Sequence, residues 1–282
     1  MQQQGHTSDV LLMAIGDSHG NSRFDHSAIE RAARLRDKVD RDVFIVSVGD
    51  FGFWPGLRGE SFVAGVDELA RRHNLAFWAI DGNHDYPGDG RSSRAGYRAW
   101  SNPTPSEDQP GLVHVPRGTV VEIGGVTIGL CGGGASPDQD QRQPGTSWWP
   151  EEMITDREVA LIESSGRTVD LLIAHDTPWR PPDFATSLDV SPKVRTLMAE
   201  NQLRLAEIVA AWQPRLLVHG HFHHSYRATA PGPDGTSIQV IGIDDENIDT
   251  SIETVDLAAF ADKMNQRERR AATGATDTSL PT

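Results

Sequence analysis

Five short apolar runs share one kind of ending, and that ending constrains the fold more than any other feature of the sequence. Val10–Ile15 runs into Gly16-Asp17-Ser18-His19-Gly20, Val43–Val48 into Gly49-Asp50, and Ala76–Ile80 into Asp81-Gly82-Asn83-His84-Asp85. Val169–Ala174 ends at His175, and Leu216–Val218 at His219-Gly220-His221-Phe222-His223. Apolar runs of this length, interrupted only by Ser47 and Asp170, read as strands buried on both faces. Amphipathic helical patterns lie between several of them: His26–Lys38 with Asp25 as N-cap, Ser61–Arg72, Glu151–Glu163 and Val194–Ala211. Thr119–Ile123 and Val126–Leu130 flank Gly124-Gly125 as a hairpin, and Ser237–Ile243 and Ile252–Leu257 are further strands. The early β-α-β-α-β order favours parallel pairing and the later hairpins add antiparallel strands, so the class is α/β with mixed sheets.

The chain of 282 residues is within reach of one α/β domain. Residues 1–8 read as a flexible polar N-terminus, 9–265 as the domain, and 266–282 as a disordered tail in which Arg267–Arg270 is solvated charge. The formal charge of −14 argues against an extended duplex nucleic-acid footprint, which needs cations to neutralise phosphates. A local phosphate site stays open, because bound metal ions can supply the positive charge. The single cysteine, Cys131, excludes an internal disulfide framework and reads as a small buried hydrophobe. No apolar run approaches the roughly 20 residues that span a bilayer. The start MQQQGHTSDV lacks the basic and apolar regions of a secretory signal. The expectation is a cytoplasmic protein without a membrane partner; oligomeric state is not legible.

In open α/β sheets, ligands bind outside the carboxyl ends of the strands. Glycines there let the backbone turn sharply and come close to a ligand. Asp17, His19, Asp50, Asn83, His175, His221 and His223 offer oxygen and nitrogen donors and no thiolate, which suits Mn, Fe, Zn, Co or Ni. Seven donors exceed the three or four that one catalytic zinc takes. Two ions sharing one carboxylate is the simplest arrangement, and such a pair activates water and clamps a transferring phosphoryl group.

The ordered set Asp17-x-His19, Gly49-Asp50, Gly82-Asn83-His84-Asp85, His175 and Gly220-His221-x-His223 resembles the calcineurin-like metallophosphoesterase superfamily. It spans residues 16 to 223. The resemblance implies a four-layer αββα sandwich, two sheets face to face with helices outside. It implies that Asp17, His19 and His223 hold one divalent ion, that Asn83, His175 and His221 hold a second, and that Asp50 bridges them. Mn2+ is the first choice, with Fe, Zn, Ni, Co or Mg as alternatives. It also implies hydrolysis of a phosphomonoester or phosphodiester by in-line attack of a metal-bridging hydroxide. His84 and Asp50 are then the catalytic residues, with His84 donating to a phosphoryl oxygen or protonating the leaving oxygen. Asn83, His84 and Arg142 are the substrate-binding set.

The match departs from the protein Ser/Thr phosphatases of the superfamily. They carry an Asp where this chain has Phe53, and a Glu where it has Asp85. That leaves the wider phosphoesterase branch, with Asp85 or Asp81 as groups that could orient His84. The segment Gly132-Gly133-Gly134-Ala135-Ser136-Pro137-Asp138, then Arg142, then Trp148-Trp149-Pro150-Glu151-Glu152, resembles a loop of uncharacterised bacterial and phage members. Arg142 there suits a phosphate, Trp148 and Trp149 read as packing before base stacking, and Glu151 and Glu152 read as acids opening a helix. His219 and His224 are surplus to the ligand count; His6, His26, His73 and His114 read as ordinary. Two rival functions remain: a nuclease or nucleic-acid end-processing phosphatase, and a non-catalytic binding module on the same fold.

Overall fold

The structure is a computed structural model and describes residues 9–86, 102, 104–183, 189–247 and 249–273. The expected flexible segment 1–8 and the end of the tail, 274–282, lie outside the described residues. Two sheets form. The first holds β1 (Val10–Ile15), β2 (Asp42–Ser47), β3 (Ala76–Ala79), β4 (Gly111–His114) and β11 (Ile252–Asp256), in the order β11-β1-β2-β3-β4. The second holds β5 (Thr119–Ile123), β6 (Val126–Cys131), β7 (Leu171–Ala174), β8 (Leu216–His219), β9 (Tyr226–Pro231) and β10 (Ser237–Gly242), in the order β5-β6-β7-β8-β10-β9. In each sheet four neighbouring strands run parallel, β1 to β4 in one and β6, β7, β8 and β10 in the other. The antiparallel strands β11, β5 and β9 sit at the edges. The class is mixed α/β, as the sequence implies.

The side-chain period of two explains the apolar runs. In β1, Val10, Leu12 and Ala14 face the second sheet, where Leu130, Ile173 and Val218 meet them. Leu11, Met13 and Ile15 face outward onto α1 (Ser22–Val39) and α2 (Leu57–Arg72), against Phe24, Ala28, Ile29, Val63 and Val66. The second sheet does the same: Leu172, Ala174 and Leu217 pack on α3 (Asp156–Ser164) and α4 (Pro192–Trp212) through Val159, Ile162, Ile208 and Trp212. The order of layers is therefore helix, sheet, sheet, helix. The last helix, α5 (Leu257–Thr273), brings Leu257 and Phe260 against the core between the sheets.

Three readings of the sequence need correction. Helix α1 begins at Ser22, not His26, because Asn21 is the better cap: its side-chain oxygen accepts from Arg23 N at 3.1 Å and Phe24 N at 3.4 Å. Asp25, the cap expected from the sequence, is buried in the first turn. Helix α3 begins at Asp156, after the Thr155–Glu158 capping box, so Glu151 and Glu152 precede it in a separate 3-10 turn, Pro150–Glu152. Helix α5 runs past the expected boundary at residue 265 and takes in Arg267–Arg270. No helix among the described residues is long and apolar enough to cross a membrane.

Candidate metal centre

Strands β1, β2, β3, β7 and β8 all present their carboxyl ends at one edge of the sandwich, and every expected ligand follows one of them. The backbone there is bent unusually. His19, Asp50, His221 and His223 have φ of 47, 44, 70 and 47°, the left-handed region that costs an ordinary L-residue about 1–2 kcal/mol. Cross-loop hydrogen bonds hold these bends: His19 N donates to Asp50 O (2.7 Å), and His221 N donates to Asp17 Oδ2 (2.9 Å). The glycines give clearance rather than flexibility. A Cβ on Gly82 would stand 2.1 Å from Asp50 Oδ1, and one on Gly220 would stand 2.0 Å from Asp17 Oδ1. Strained ligand-bearing turns supported from the neighbouring turn are the usual mark of a site set in advance.

The donors fall into overlapping groups with ligand atoms within 4.8 Å of one another: Asp17 with His19 and His223, Asp17 with Asp50 and His175, and His19 with Asp50 and His84. Asp17, His19 and Asp50 each belong to two of the three, so the groups merge into one cluster. Asn83 joins through its Oδ1, 2.9 Å from His175 Nε2, and His221 sets its ring on that of His175 at a centroid separation of 4.9 Å. The structure thus gathers Asp17, His19, Asp50, Asn83, His84, His175, His221 and His223 in one place.

The donor chemistry fits a cation. Nδ1 of His175 lies 3.0 Å from Val48 O, and a carbonyl only accepts, so the ring's N–H points there. Nε2 of the neutral ring then carries a lone pair. It faces Asn83 Oδ1 and, at 3.5 Å, Asp50 Oδ1, which are lone pairs too. Only a proton or a metal ion can sit among three acceptors. Asp17 Oδ1 and His19 Nδ1, both buried, likewise have no hydrogen-bond partner among the described residues. Burial resists protonation of His175, but Asp50 and Asp17 outweigh it and raise its pKa. Burial pushes His221 down to about 4, keeping it neutral as a ligand must be.

His223 sits where a proton and a cation would compete. Its Nε2 lies 3.3 Å from Asp17 Oδ2, and the hydrogen bond to Asp17 pushes its pKa up to about 9. A folded-state pKa above the unfolded value of about 6.5 adds stability that is complete below that value and lost as pH rises through the folded one. The metal-free protein is therefore expected to lose thermal stability between pH 6.5 and about 9, and added Mn2+ to restore it. A melting temperature that stays flat across that window, measured in chelator, would remove the Asp17–His223 pair from this account.

His84 is oriented by groups other than the two considered from the sequence. Asp85 spends its carboxylate on four backbone N–H groups, those of Phe51 (3.0 Å), Gly52 (2.7 Å), Phe53 (2.8 Å) and Gly82 (3.0 Å). It ties the β2 turn to the β3 turn; burial, with Asp50 nearby, pushes its pKa up to about 6. Asp81 is turned to Arg117, whose Nε donates to it at 3.0 Å, and to His114 at 3.7 Å. The His84 ring instead stacks on His19 (centroids 4.8 Å) and meets Arg142, with Nη2 at 2.8 Å from Nδ1 and in contact with Nε2. Its backbone N–H donates to Asp50 Oδ1 at 2.6 Å, and its carbonyl accepts from Trp54 Nε1 at 3.2 Å. Phe53 packs on Phe51 and His114, as part of the core.

The loop after β6 is built into the same site. The Arg142 side chain is 7% exposed and is no solvated charge: Nε pairs with Asp138 (2.8 Å) and Nη1 donates to the carbonyls of Asn83 (3.2 Å) and Ser147 (3.4 Å). Trp149 is buried against Tyr86. His219 turns from the cluster to Tyr226 Oη (2.6 Å), and His224 stacks on the same ring. Cys131 is buried, and its thiol is pushed up to about 12 by burial. Sequence reasoning missed Ser136, Glu152 and Arg117, which reach the site through contacts distant in the chain.

Two crystal structures share this fold. The protein TT1561 of Thermus thermophilus is 12% identical, with 89% of this chain and 95% of that one covered at a TM-score of 0.52. A dimetal phosphatase from Danio rerio is 11% identical, with 88% and 92% covered, also at 0.52. Among curated proteins none matches the sequence significantly. The family description calcineurin-like phosphoesterase matches residues 10–225, which takes in every ligand candidate from Asp17 to His223. The chain belongs to the calcineurin-like phosphoesterase family.

Proposed function

We propose that this protein is a dinuclear metal-dependent phosphoesterase that transfers the phosphoryl group directly to water. The observation that carries the reading is the confrontation of lone pairs at His175, Asn83 and Asp50, beside the orphaned Asp17 and His19. Asp17, His19 and His223 would hold one ion, Asn83, His175 and His221 the other, with Asp50 shared. The all-oxygen-and-nitrogen donor set suits Mn2+ first, then Fe, Zn, Ni, Co or Mg. When bound, such a pair supplies an activated water and charge to stabilise the phosphoryl group.

The chain's own residues do the rest. A guanidinium has only hydrogens to offer, so the edge of His84 that meets Arg142 must present a lone pair, and the ring is neutral. Burial, with Arg142 and His19, lowers the His84 pKa against the pull of Asp50. A neutral imidazole that surrendered its proton would become an anion, so His84 serves as a hydrogen-bond donor to a phosphoryl oxygen. With Nε on Asp138, Nη1 on two carbonyls and one Nη2 hydrogen on His84, Arg142 has its second Nη2 hydrogen left for the substrate. That adds a second donor beside His84, which favours the extra anionic oxygen of a monoester over a diester. Trp149, buried against Tyr86, offers no free face to a nucleobase.

The test compares p-nitrophenyl phosphate with bis-p-nitrophenyl phosphate on Mn2+-loaded protein. The monoester is expected to turn over faster, and Arg142→Ala to erode that preference. Faster diester turnover, unchanged in Arg142→Ala, would overturn the monoester assignment. Turnover of neither would move the protein to the binding-module reading.

A further inference from the structure

We propose that Ser136 and Glu152 are positioning residues that decide which end of the Asn83 amide faces the second metal position. The inference rests on the dinuclear reading above. An asparagine side chain has two ends of nearly the same shape, and only the oxygen can ligate a metal. Asn83 is 1% exposed, so water cannot help it choose.

The choice is made by a chain of one-way hydrogen bonds. Asn83 Nδ2 donates to Ser136 Oγ at 3.2 Å. Ser136 has one hydroxyl proton, and Glu152 Oε2 takes it at 2.7 Å, while Glu152 Oε1 takes the Ser136 backbone N–H at 2.7 Å. The proton's other acceptor within reach, the Asn83 carbonyl, lies at 3.4 Å, and the shorter bond to a carboxylate wins. An ionised carboxylate can only accept. The Ser136 oxygen therefore has only lone pairs left for Asn83, and the amide must turn its nitrogen to Ser136. Its oxygen then points at His175 Nε2, 2.9 Å away.

The relay is fixed in space at both ends. Arg117 donates to the carbonyls of Met153 (2.8 Å) and Glu152 (2.8 Å), and holds Asp81 with its other side. Asp81 O accepts from Gly133 N (2.8 Å), and Glu152 O accepts from Gly134 N (3.0 Å). Glu152 and Asn83 thus hang from one frame. A merely structural Glu152 would need only the Ser136 backbone bond. The hydroxyl and the amide add nothing to that role, and they are what the proposal explains.

The test reads metal binding, not turnover. Mn2+ is titrated into metal-free protein by calorimetry at pH 8, above the value of about 7 to which burial pushes Glu152. Wild type is expected to bind two ions. Ser136→Ala and Glu152→Gln are each expected to weaken one of the two about tenfold or more, with the other unchanged, as loss of a partner that orients a ligand typically does. Asn83→Asp makes both ends of the side chain oxygen, so adding Ser136→Ala to it should cost less than about threefold. Two ions bound at wild-type affinity by Ser136→Ala, with its metal-free melting temperature unchanged, would overturn the proposal alone. An equal loss from Ser136→Ala with and without Asn83→Asp would make the residue structural and overturn it too. Fewer than two ions in wild type would overturn the dinuclear reading and this proposal with it.

Discussion

Asp50→Asn is expected to cut turnover of p-nitrophenyl phosphate by about a thousandfold while leaving the fold intact. Asp50 is 1% exposed, with its Oδ1 3.5 Å from His175 Nε2 and its Oδ2 3.9 Å from His84 Nε2. Burial opposes its charge, but His175, His19 and the His84 backbone N–H outweigh burial and hold its pKa well below the usual carboxylate range. Asparagine tolerates the left-handed backbone at φ 44°, so the turn should survive. The negative charge shared by both donor groups is lost, and with it several kcal/mol of charge stabilisation, about 1.4 kcal/mol per tenfold in rate. The measurement pairs kcat on Mn2+-loaded protein with metal content by mass spectrometry. Full turnover in Asp50→Asn would end the assignment of Asp50 as the shared ligand.

That expectation comes from residues visible in the sequence, and the reason is physical. A strand buried on both faces writes itself as a mostly apolar run, and β1, β2, β3, β7 and β8 do so. Their Asp, Asn and His endings follow directly, because a parallel sheet sends all its carboxyl ends to one edge. Elements without this signature are not legible. β4 is four residues, Gly-Leu-Val-His, with no room for a pattern. β9 lies at the edge of its sheet with Ala230 as its one buried residue, so it carries no apolar run. α1 reads too short from sequence because Asn21 and Asp25 are both acceptable caps by type, and only the backbone bonds at Arg23 and Phe24 separate them.

The candidate ligands of the site are legible, but what aims them is not. Chain proximity offers His84 two carboxylates as orienters, since Asp81 and Asp85 are its neighbours. Each is spent elsewhere, on Arg117 and on the backbone of residues 51–53. The groups that do touch His84 or Asn83 come from far along the chain: Arg142 lies 58 positions from His84, and Ser136 lies 53 from Asn83. Local spacing carries no trace of such pairs. Glu152 reads as a helix-opening acid because its neighbours suggest a helix start. Its burial at 2% exposure and its two bonds to Ser136 depend on where the loop after β6 closes.

Arg117→Met is expected to destabilise the protein by about 3–5 kcal/mol, the usual effect of removing one partner of a buried ion pair. The Arg117 side chain is 6% exposed and that of Asp81 1%. Their mutual attraction raises the pKa of Arg117 and lowers that of Asp81, in each case against burial. Met fills much of the arginine stem's volume, so the loss is electrostatic rather than a cavity. It leaves the Asp81 carboxylate facing His114 at 3.7 Å without its guanidinium partner. It also strips a donor from the carbonyls of Glu151, Glu152 and Met153. In a chain of this size the melting temperature should fall by roughly 10 °C. A urea titration measures the free energy directly, and a loss below about 1 kcal/mol would place the pair with exposed salt bridges. Adding Asp81→Asn should recover part of the loss, because the uncompensated charge then disappears. The recovered protein would still lack the clamp on residues 151–153. Stability regained without the second Mn2+ regained would show that Arg117 both supports the fold and sets the geometry of Glu152, Ser136 and Asn83.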